Sequence, residues 1–469
     1  MPDNLPSDRT EFDFLGSIAV PAAALYGAQT ARALANFRIS GIPLSDYGSL
    51  LRSMASIKRA AVRANLRLGD MDPKVARAIE QACDEVIADG HAEHFPIDMF
   101  QGGAGTSTNM NMNEVLANRA LQILGLALGR YDTVHPNDHV NRSQSTNDVY
   151  PTALRMAVRA DARQLRRALE GLAEAFDRKS NEFEPILKLG RTQLQDAVPM
   201  TLGQEFGAFA TTIREDILRL DEAARLLSEV NLGGTAIGTG IAADPSFRRL
   251  VLEELNTAGA SLVPAENLIE ASWDAGAFLT FSGMLKRVAV KLSKIANDLR
   301  LLSSGPRGGF GEIHLPQMQA GSSIMPGKVN PVIPEVVNQV AFQVIGQDMT
   351  ITMATEAGQL QLNAMEPVIG FNLLWSLKLL RNAVDALSEL CVSGIRADQE
   401  ACKRHLDEST ALATALIPTI GYDAASKLAK DSLRTGRSVR ELYAEAGGRV
   451  DVLNALADAQ SHSRGGRIR

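Results

Sequence analysis

GSSIMPGKVNP, residues 321–331, decides how the chain is read. Its eleven residues hold two glycines, two prolines, two adjacent serines, one lysine and one asparagine. Glycine opens backbone conformations that other residues avoid, and each proline interrupts a helix. A shaped loop is expected. Apolar-periodic segments lie on both sides. Upstream, Phe278, Phe281, Leu285, Val288, Leu292, Ile295, Leu299 and Leu302 advance in steps of three and four. Downstream, a helix is expected from about 334, then another through Leu373, Leu377, Leu380, Val384, Leu387 and Cys391. Leu154, Val158, Leu165, Leu169, Leu172 and Phe176 share a further face, and Phe206, Phe209, Ile213, Ile217, Leu220, Ala224 and Leu227 another. Long helices with narrow apolar stripes predict a mainly α fold built on a central helix bundle. The near-heptad run from Leu285 to Leu302 predicts packing between subunits of a homo-oligomer.

Outward from that centre the chain divides into three expected domains. Residues 1–145 read as a mixed, mainly helical domain, with helices over about 50–68 and 73–89. Residues 146–395 form the bundle with its loop, and 396–469 a small helical domain. Strand signals are confined to the N-terminal part. FQGGAGTSTNMNMNEVLANRA (100–120) reads as a polar loop that becomes helical near Glu114, where free backbone N–H groups favour anions. HPNDHVNRSQSTNDVYP (135–151) and GRTQLQDAVP (190–199) read as further polar loops, and NLGGTAIGTG (231–240) as a glycine-rich turn.

Composition narrows the function. Hydrophobic content of 45% and charged content of 22% are those of an ordinary globular protein. A net charge of -6 gives no electrostatic footprint for nucleic acid, and no apolar run is long enough to span a membrane. The N-terminal stretch lacks the basic start and apolar run of a secretory signal, and 464–469 reads as a frayed basic tail. Cys83, Cys391 and Cys402 are odd in number and widely spaced, which predicts inert thiols in a reducing, cytoplasmic compartment. The loop is not a phosphate cradle, because five residues separate its glycines and Val329 follows the lysine. His91 and His94 read as a solvated helix end without a further ligand, so no metal centre is expected.

What remains is a set of donor-rich loops: Thr106, Ser107, Thr108 and Asn109; Ser143 to Asn147; Arg191 to Gln193; and Ser322, Ser323, Lys328 and Asn330. Singly, such residues are turn and cap chemistry. Together they offer many neutral hydrogen-bond donors and few cations, an inventory suited to a small substrate with two carboxylates.

The strings GGAGTSTNMNMNEVLANRA, NDHVNRSQSTNDVYPTA, GRTQLQDAVPMTLGQE and GSSIMPGKVNP resemble the aspartase/fumarase superfamily, from about Arg9 to beyond Glu441. The resemblance implies a three-domain fold whose central helices pool into a homotetrameric core, with each active site built from three subunits. It also implies reversible elimination from a succinate skeleton to give fumarate. Ser322 matches the catalytic base, while Lys328 and Asn330 match binders of one substrate carboxylate. Thr106, Ser145 and Thr146 match groups around the other. Asn147, Thr192 and Gln193 match positions near the substrate and its leaving group. Ser323 is a supporting residue, Glu335 matches the acid that partners a histidine in hydratases, and Arg32 is a substrate-binding candidate. The stretch around His135 and Asp138 resembles a secondary anion-binding region. No cofactor is required, and divalent-cation activation stays open.

Gln193 separates the branches. Hydroxide leaves only with a proton donor, and the resemblance places a histidine there in the hydratases. An amide does not titrate. An ammonium group carries its own proton away, so Gln193 favours loss of ammonia from aspartate. Fumarate hydration and elimination from an N-substituted aspartate are the alternatives.

Overall fold

The protein is described from a computed structural model covering residues 8–461. The basic tail expected at 464–469 and the first seven residues, the start of the stretch expected to carry no secretory signal, lie outside the described residues.

The chain opens on a hairpin, β1 (Asp8–Asp13) and β2 (Gly16–Pro21), followed by α1 (Ala28–Asn36), α2 (Gly48–Arg67), α3 (Pro73–Ile87) and α4 (Thr106–Ile123). Pro73 supplies the first helical residue of α3, and the Asp72 carboxylate caps it by accepting from Lys74 N and Val75 N. A π-turn at Pro136–Val140 precedes the first long helix, α5 (Thr146–Glu182). The antiparallel pair β3 (Leu187–Thr192) and β4 (Gln195–Thr201) leads into α6 (Leu202–Leu226). Next come β5 (Glu229–Val230), α7 (Phe247–Thr257), β6 (Val263–Pro264) and α8 (Gly276–Leu302). After β7 (Ile313–His314), the 321–331 loop runs into α9 (Val332–Glu356), then α10 (Glu366–Leu390). β8 (Arg396–Ala397) and five short helices finish the chain: α11 (Gln399–Glu408), α12 (Ala411–Ile420), α13 (Tyr422–Thr435), α14 (Val439–Glu445) and α15 (Val450–Ser461). Among the described residues no helix is long and apolar enough to cross a membrane.

The fold is mainly α, and the five long helices stand where periodicity places them. Three expectations need correction. GRTQLQDAVP is not a loop: residues 187–201 form a β-hairpin outside the N-terminal part, because Leu189 plugs a small apolar core with Leu406, Leu412, Leu416, Val439 and Leu453. α4 begins at Thr106, well before Glu114, and its first turns bury Thr108, Asn109, Asn111 and Asn113, whose asparagine amide nitrogens bond to Asn141, Thr146, His94 and Met110. The run Leu285 to Leu302 is not an exposed seam, since all six side chains are buried within the chain. The apolar surface lies instead on α9, where Phe342, Met349 and Met353 are more than 60% exposed.

By contact density the chain forms two compact units. The first comprises 1–165, 219–287 and 343–379; the second comprises 166–218, 288–342 and 380–469.

Candidate active site

In the first unit, the string SQSTND turns directly into α5. Ser143 adopts a left-handed backbone (φ 64°), and its hydroxyl donates to Asn65 Oδ1. Ser145 Oγ accepts from Asn147 N at 3.2 Å. Asp148 caps the turn from inside the helix: Oδ1 accepts from Ser145 N, and Oδ2 accepts from Gly233 N and Thr235 N at 3.0 and 2.9 Å. The glycine-rich turn at 231–240 is thus bonded to the helix start. Asn231 completes the junction. Pro151 has no N–H for the carbonyl four residues back, Asn147 O, and Asn231 Nδ2 donates to that carbonyl at 2.9 Å.

Hydrogen-bond direction then separates the candidate donors. Asn109 Nδ2 donates to Thr146 Oγ1 at 3.0 Å. Thr146 Oγ1 thus accepts inside the protein, and its O–H proton remains available to donate. Thr146 and Asn109 are nearly fully buried, so the group is pre-organised. Thr106, by contrast, is exposed, and its hydroxyl donates to Gly103 O at 2.7 Å. Several asparagines of α4 hold neighbouring segments instead: Asn111 donates to His94 O, and Asn118 to Leu25 O. Arg32 forks onto Asp13 with bonds of 2.7 and 2.8 Å, fastening α1 to the first hairpin.

In the second unit, Gln193 and Leu194 form the two-residue tip of the β3–β4 hairpin, where Thr192 pairs with Gln195. Both tip residues have positive φ, 54° and 61°, the backbone of a type I′ turn. Thr192 and Gln193 are exposed. The hairpin is fixed below its tip by a buried ionic cluster. Glu312 is fully buried and lies 2.9 Å from Lys188 Nζ and 2.8 Å from Arg191 Nη1. Lys188 also pairs with Glu205 at 2.6 Å, and His405 Nδ1 sits 3.0 Å from Glu312 Oε1. Burial favours the protonated form of Glu312, but Lys188, His405 and Arg191 outweigh it and hold the carboxyl below its usual range.

The 321–331 loop closes on itself. Gly321 N donates to Lys328 O at 2.8 Å, and Asn330 Nδ2 returns to Gly321 O at 2.8 Å. A Cβ at Gly321 would stand 2.6 Å from Lys328 O, so the closure requires glycine there. Ser322 Oγ accepts from Met325 N at 2.9 Å and Ile324 N at 3.2 Å. Hydrogen bonds to an oxygen favour its anionic form, so these N–H groups favour the alkoxide form of Ser322 relative to a free serine. Ser323 and Lys328 are exposed, Asn330 is half-buried, and Glu335 lies in the first turn of α9.

Three groups escaped sequence reading. Lys58 is fully buried on α2 and donates to Asn141 Oδ1 at 2.8 Å. Its signal was a lysine at a core position, four residues from Met54 and from Val62. Asp148 and Glu312 left no comparable signal, since Gly233 and Thr235 for the one and Lys188 and Arg191 for the other lie far along the chain. The three cysteines are buried, and burial pushes the thiols of Cys391 and Cys402 up to about 12. Glu93 joins His91 and His94, bringing three possible ligand atoms within 4.8 Å, so a further ligand does sit nearby. His91 Nε2 is 2.7 Å from Glu85, and Leu25 N donates to His94 Nδ1 at 3.5 Å.

The chain is similar to known proteins along nearly its whole length. A lyase family matches residues 16–346, and the fumarase C C-terminal family matches 412–456. The aspartate ammonia-lyase of Pseudomonas canavaninivorans is 57% identical over 443 residues, covering 94% of each chain. That of Escherichia coli K12 is 53% identical, covering 94% of this chain and 92% of its own. Among solved structures, a fumarate lyase:delta crystallin from Brucella melitensis bound to cobalt is 54% identical with a TM-score of 0.94, covering 97% of this chain and 99% of its own. A class II fumarase from Schistosoma mansoni is 34% identical with a TM-score of 0.90, covering 97% of this chain and all of its own. By these matches over nearly its whole length, the chain belongs to the aspartase/fumarase superfamily of lyases.

Proposed function

We propose that the enzyme eliminates ammonia reversibly from L-aspartate to give fumarate. The observation that carries this reading is Gln193, an amide on a hairpin tip. It can orient an amine but cannot protonate a departing hydroxide. The relatives named aspartate ammonia-lyase support the same choice.

In the proposed mechanism, Ser322 Oγ removes the proton from the carbon beside one carboxylate. The backbone N–H groups of Met325 and Ile324 stabilise the alkoxide that acts as base. Charge then builds on that carboxylate as an aci-carboxylate dianion, where Lys328 and Asn330 bind. Thr146 and Ser145, whose hydroxyl oxygens already accept internal bonds, donate to the other carboxylate. Donors in place before the reaction lower the barrier without reorganising. Collapse of the dianion expels the amine near Asn147, Thr192 and Gln193. Ser323, Glu335, Thr106 and Arg32 support the site without a chemical step.

The proposal includes a cytoplasmic homotetramer with active sites shared among three subunits and no organic cofactor. The exposed apolar face of α9 supports self-association, since an apolar stripe this size on one helix is an interface feature. The cobalt in the Brucella relative makes divalent-cation activation a property to measure.

The test follows fumarate absorbance with L-aspartate and with L-malate. Faster turnover of aspartate is expected, and faster turnover of malate overturns the reading. Ser322→Ala should lower kcat by at least a thousandfold without changing oligomeric state. Retained turnover would remove Ser322 as the base.

A further inference from the structure

Lys58 is a buried cation that the mechanism above leaves unused. It lies at 0% exposure, and its hydrogen-bonded partner is an amide, not a carboxylate. That amide oxygen, Asn141 Oδ1, is shared: Lys58 Nζ donates to it at 2.8 Å and Asn109 Nδ2 at 3.1 Å. Asn109 Nδ2 makes its second bond to Thr146 Oγ1 at 3.0 Å. Lys58 and Asn109 thus converge on Asn141 Oδ1, and Asn109 reaches on to Thr146 Oγ1, so four groups form one hydrogen-bonded network from an ammonium to a hydroxyl. Asn141 Nδ2 donates to Gln144 O, which prevents that amide from turning over. The amide donors of the network are committed to these acceptors, and the Thr146 hydroxyl proton is left to donate elsewhere.

We propose that Lys58 is a positioning residue of the substrate site. Its ammonium locks Asn141 and Asn109, so that the Thr146 hydroxyl donates outward, and it sets a positive charge behind the bound carboxylate. The inference rests on the reading of Thr146 as a carboxylate donor. An amide oxygen satisfies the ammonium's hydrogen bond without neutralising its charge, so the charge is left for a dianionic ligand to compensate. Burial holds Lys58 down to about 7, while the charge of Asp148 and then that of Cys83 pull upward. Asp148 lies at the start of the same helix as Thr146 and is itself raised to about 6. An anionic ligand raises the affinity of Lys58 for its proton, so binding near pH 7.5 should take up a proton.

The experiment is calorimetric titration of succinate into the intact enzyme at pH 7.5, in two buffers of different ionisation enthalpy. Wild type should take up a substantial fraction of a proton. Lys58→Met should lose that uptake and bind at least tenfold more weakly, with oligomeric state unchanged. Asp148 would also take up a proton on binding, so uptake persisting in Lys58→Met overturns the proposal. Should that variant fail to fold, wild type alone decides: no uptake between pH 6.5 and 8.5 overturns it. Thr146→Val separates the two readings. If neither variant changes affinity, Thr146 is no carboxylate donor. If only Thr146→Val weakens binding, the site stands and Lys58 has no part in it.

Discussion

Lys58 and Lys188 are both buried lysines, one in each compact unit, and their surroundings push them in opposite directions. Lys188 lies against two carboxylates, Glu205 at 2.6 Å and Glu312 at 2.9 Å. Burial would depress it, but the two charges more than offset burial and raise it above its ordinary value. Lys58 has an amide as its bonded partner, and burial wins, leaving it near 7. A buried ion gains stability only with full pairing and hydrogen bonding. The pair at Lys188 is a closed structural account that holds a hairpin in place. The chain from Lys58 is open at one end, and in the proposed site that end meets the substrate.

The largest effect should come from breaking the closed cluster. Glu312→Gln leaves Lys188, Arg191 and His405 around a neutral amide. Removing one partner of a buried ion pair costs roughly 3–5 kcal/mol. Denaturant unfolding should show that loss, and kcat should fall because the hairpin carrying Gln193 loses its anchor. A loss under 1 kcal/mol would show that solvent relaxes the cluster and that it does not fix the hairpin.

The open chain predicts a smaller effect, with a direction set by pH. The ordinary lysine value of about 10.4 lies above the folded value near 7. Between those values the unfolded chain binds more protons than the folded one, so stability rises with pH across the window. Below about 7 both states are charged, and the full cost of burying the ammonium is present. Lys58→Met removes that cost. Relative to wild type, the variant should gain most in melting temperature near pH 6.5, and the gain should shrink toward pH 10. A gap independent of pH would mean that Lys58 does not titrate in the folded protein.

Long-range charge pairing is also what the sequence hid. The five long helices were legible because an apolar stripe of fixed period records which face a helix buries, as in Leu373 through Leu387. The loop at 321–331 was legible because Gly321 and the prolines admit few alternatives. The hairpin at 187–201 was hidden: KLGRTQ alternates poorly, and its core partner Leu406 lies over two hundred residues away. The donor strings were half-legible. Thr146, Thr106, Asn109 and Asn118 look alike in one dimension, and only folded hydrogen bonds show which hydroxyl accepts, which donates to the backbone and which amides staple loops. Lys58 could have been flagged as a charge on an apolar face, but not Asn141 as its partner, 83 residues on.

The smallest effect lies at the hairpin tip and tests whether the closed cluster holds a strained turn. Type I′ turns favour Asn-Gly because both central residues need positive φ. Here Gln193 and Leu194 stand at 54° and 61°. A left-handed backbone costs an L-residue about 1–2 kcal/mol, and leucine has no side-chain bond to offset it. Leu194 is 65% exposed, so little apolar burial is lost on shortening it. Leu194→Gly removes the steric cost but admits more unfolded-state freedom, worth about 0.5–1 kcal/mol. The net expectation is a gain of about 0.5 kcal/mol in denaturant unfolding. A looser tip should also hold Gln193 less firmly, so kcat for aspartate should fall a few-fold as stability rises. Opposite movements of the two quantities would mark strain retained for function. If both fall together, the leucine is supporting the hairpin through packing, and the turn is not strained.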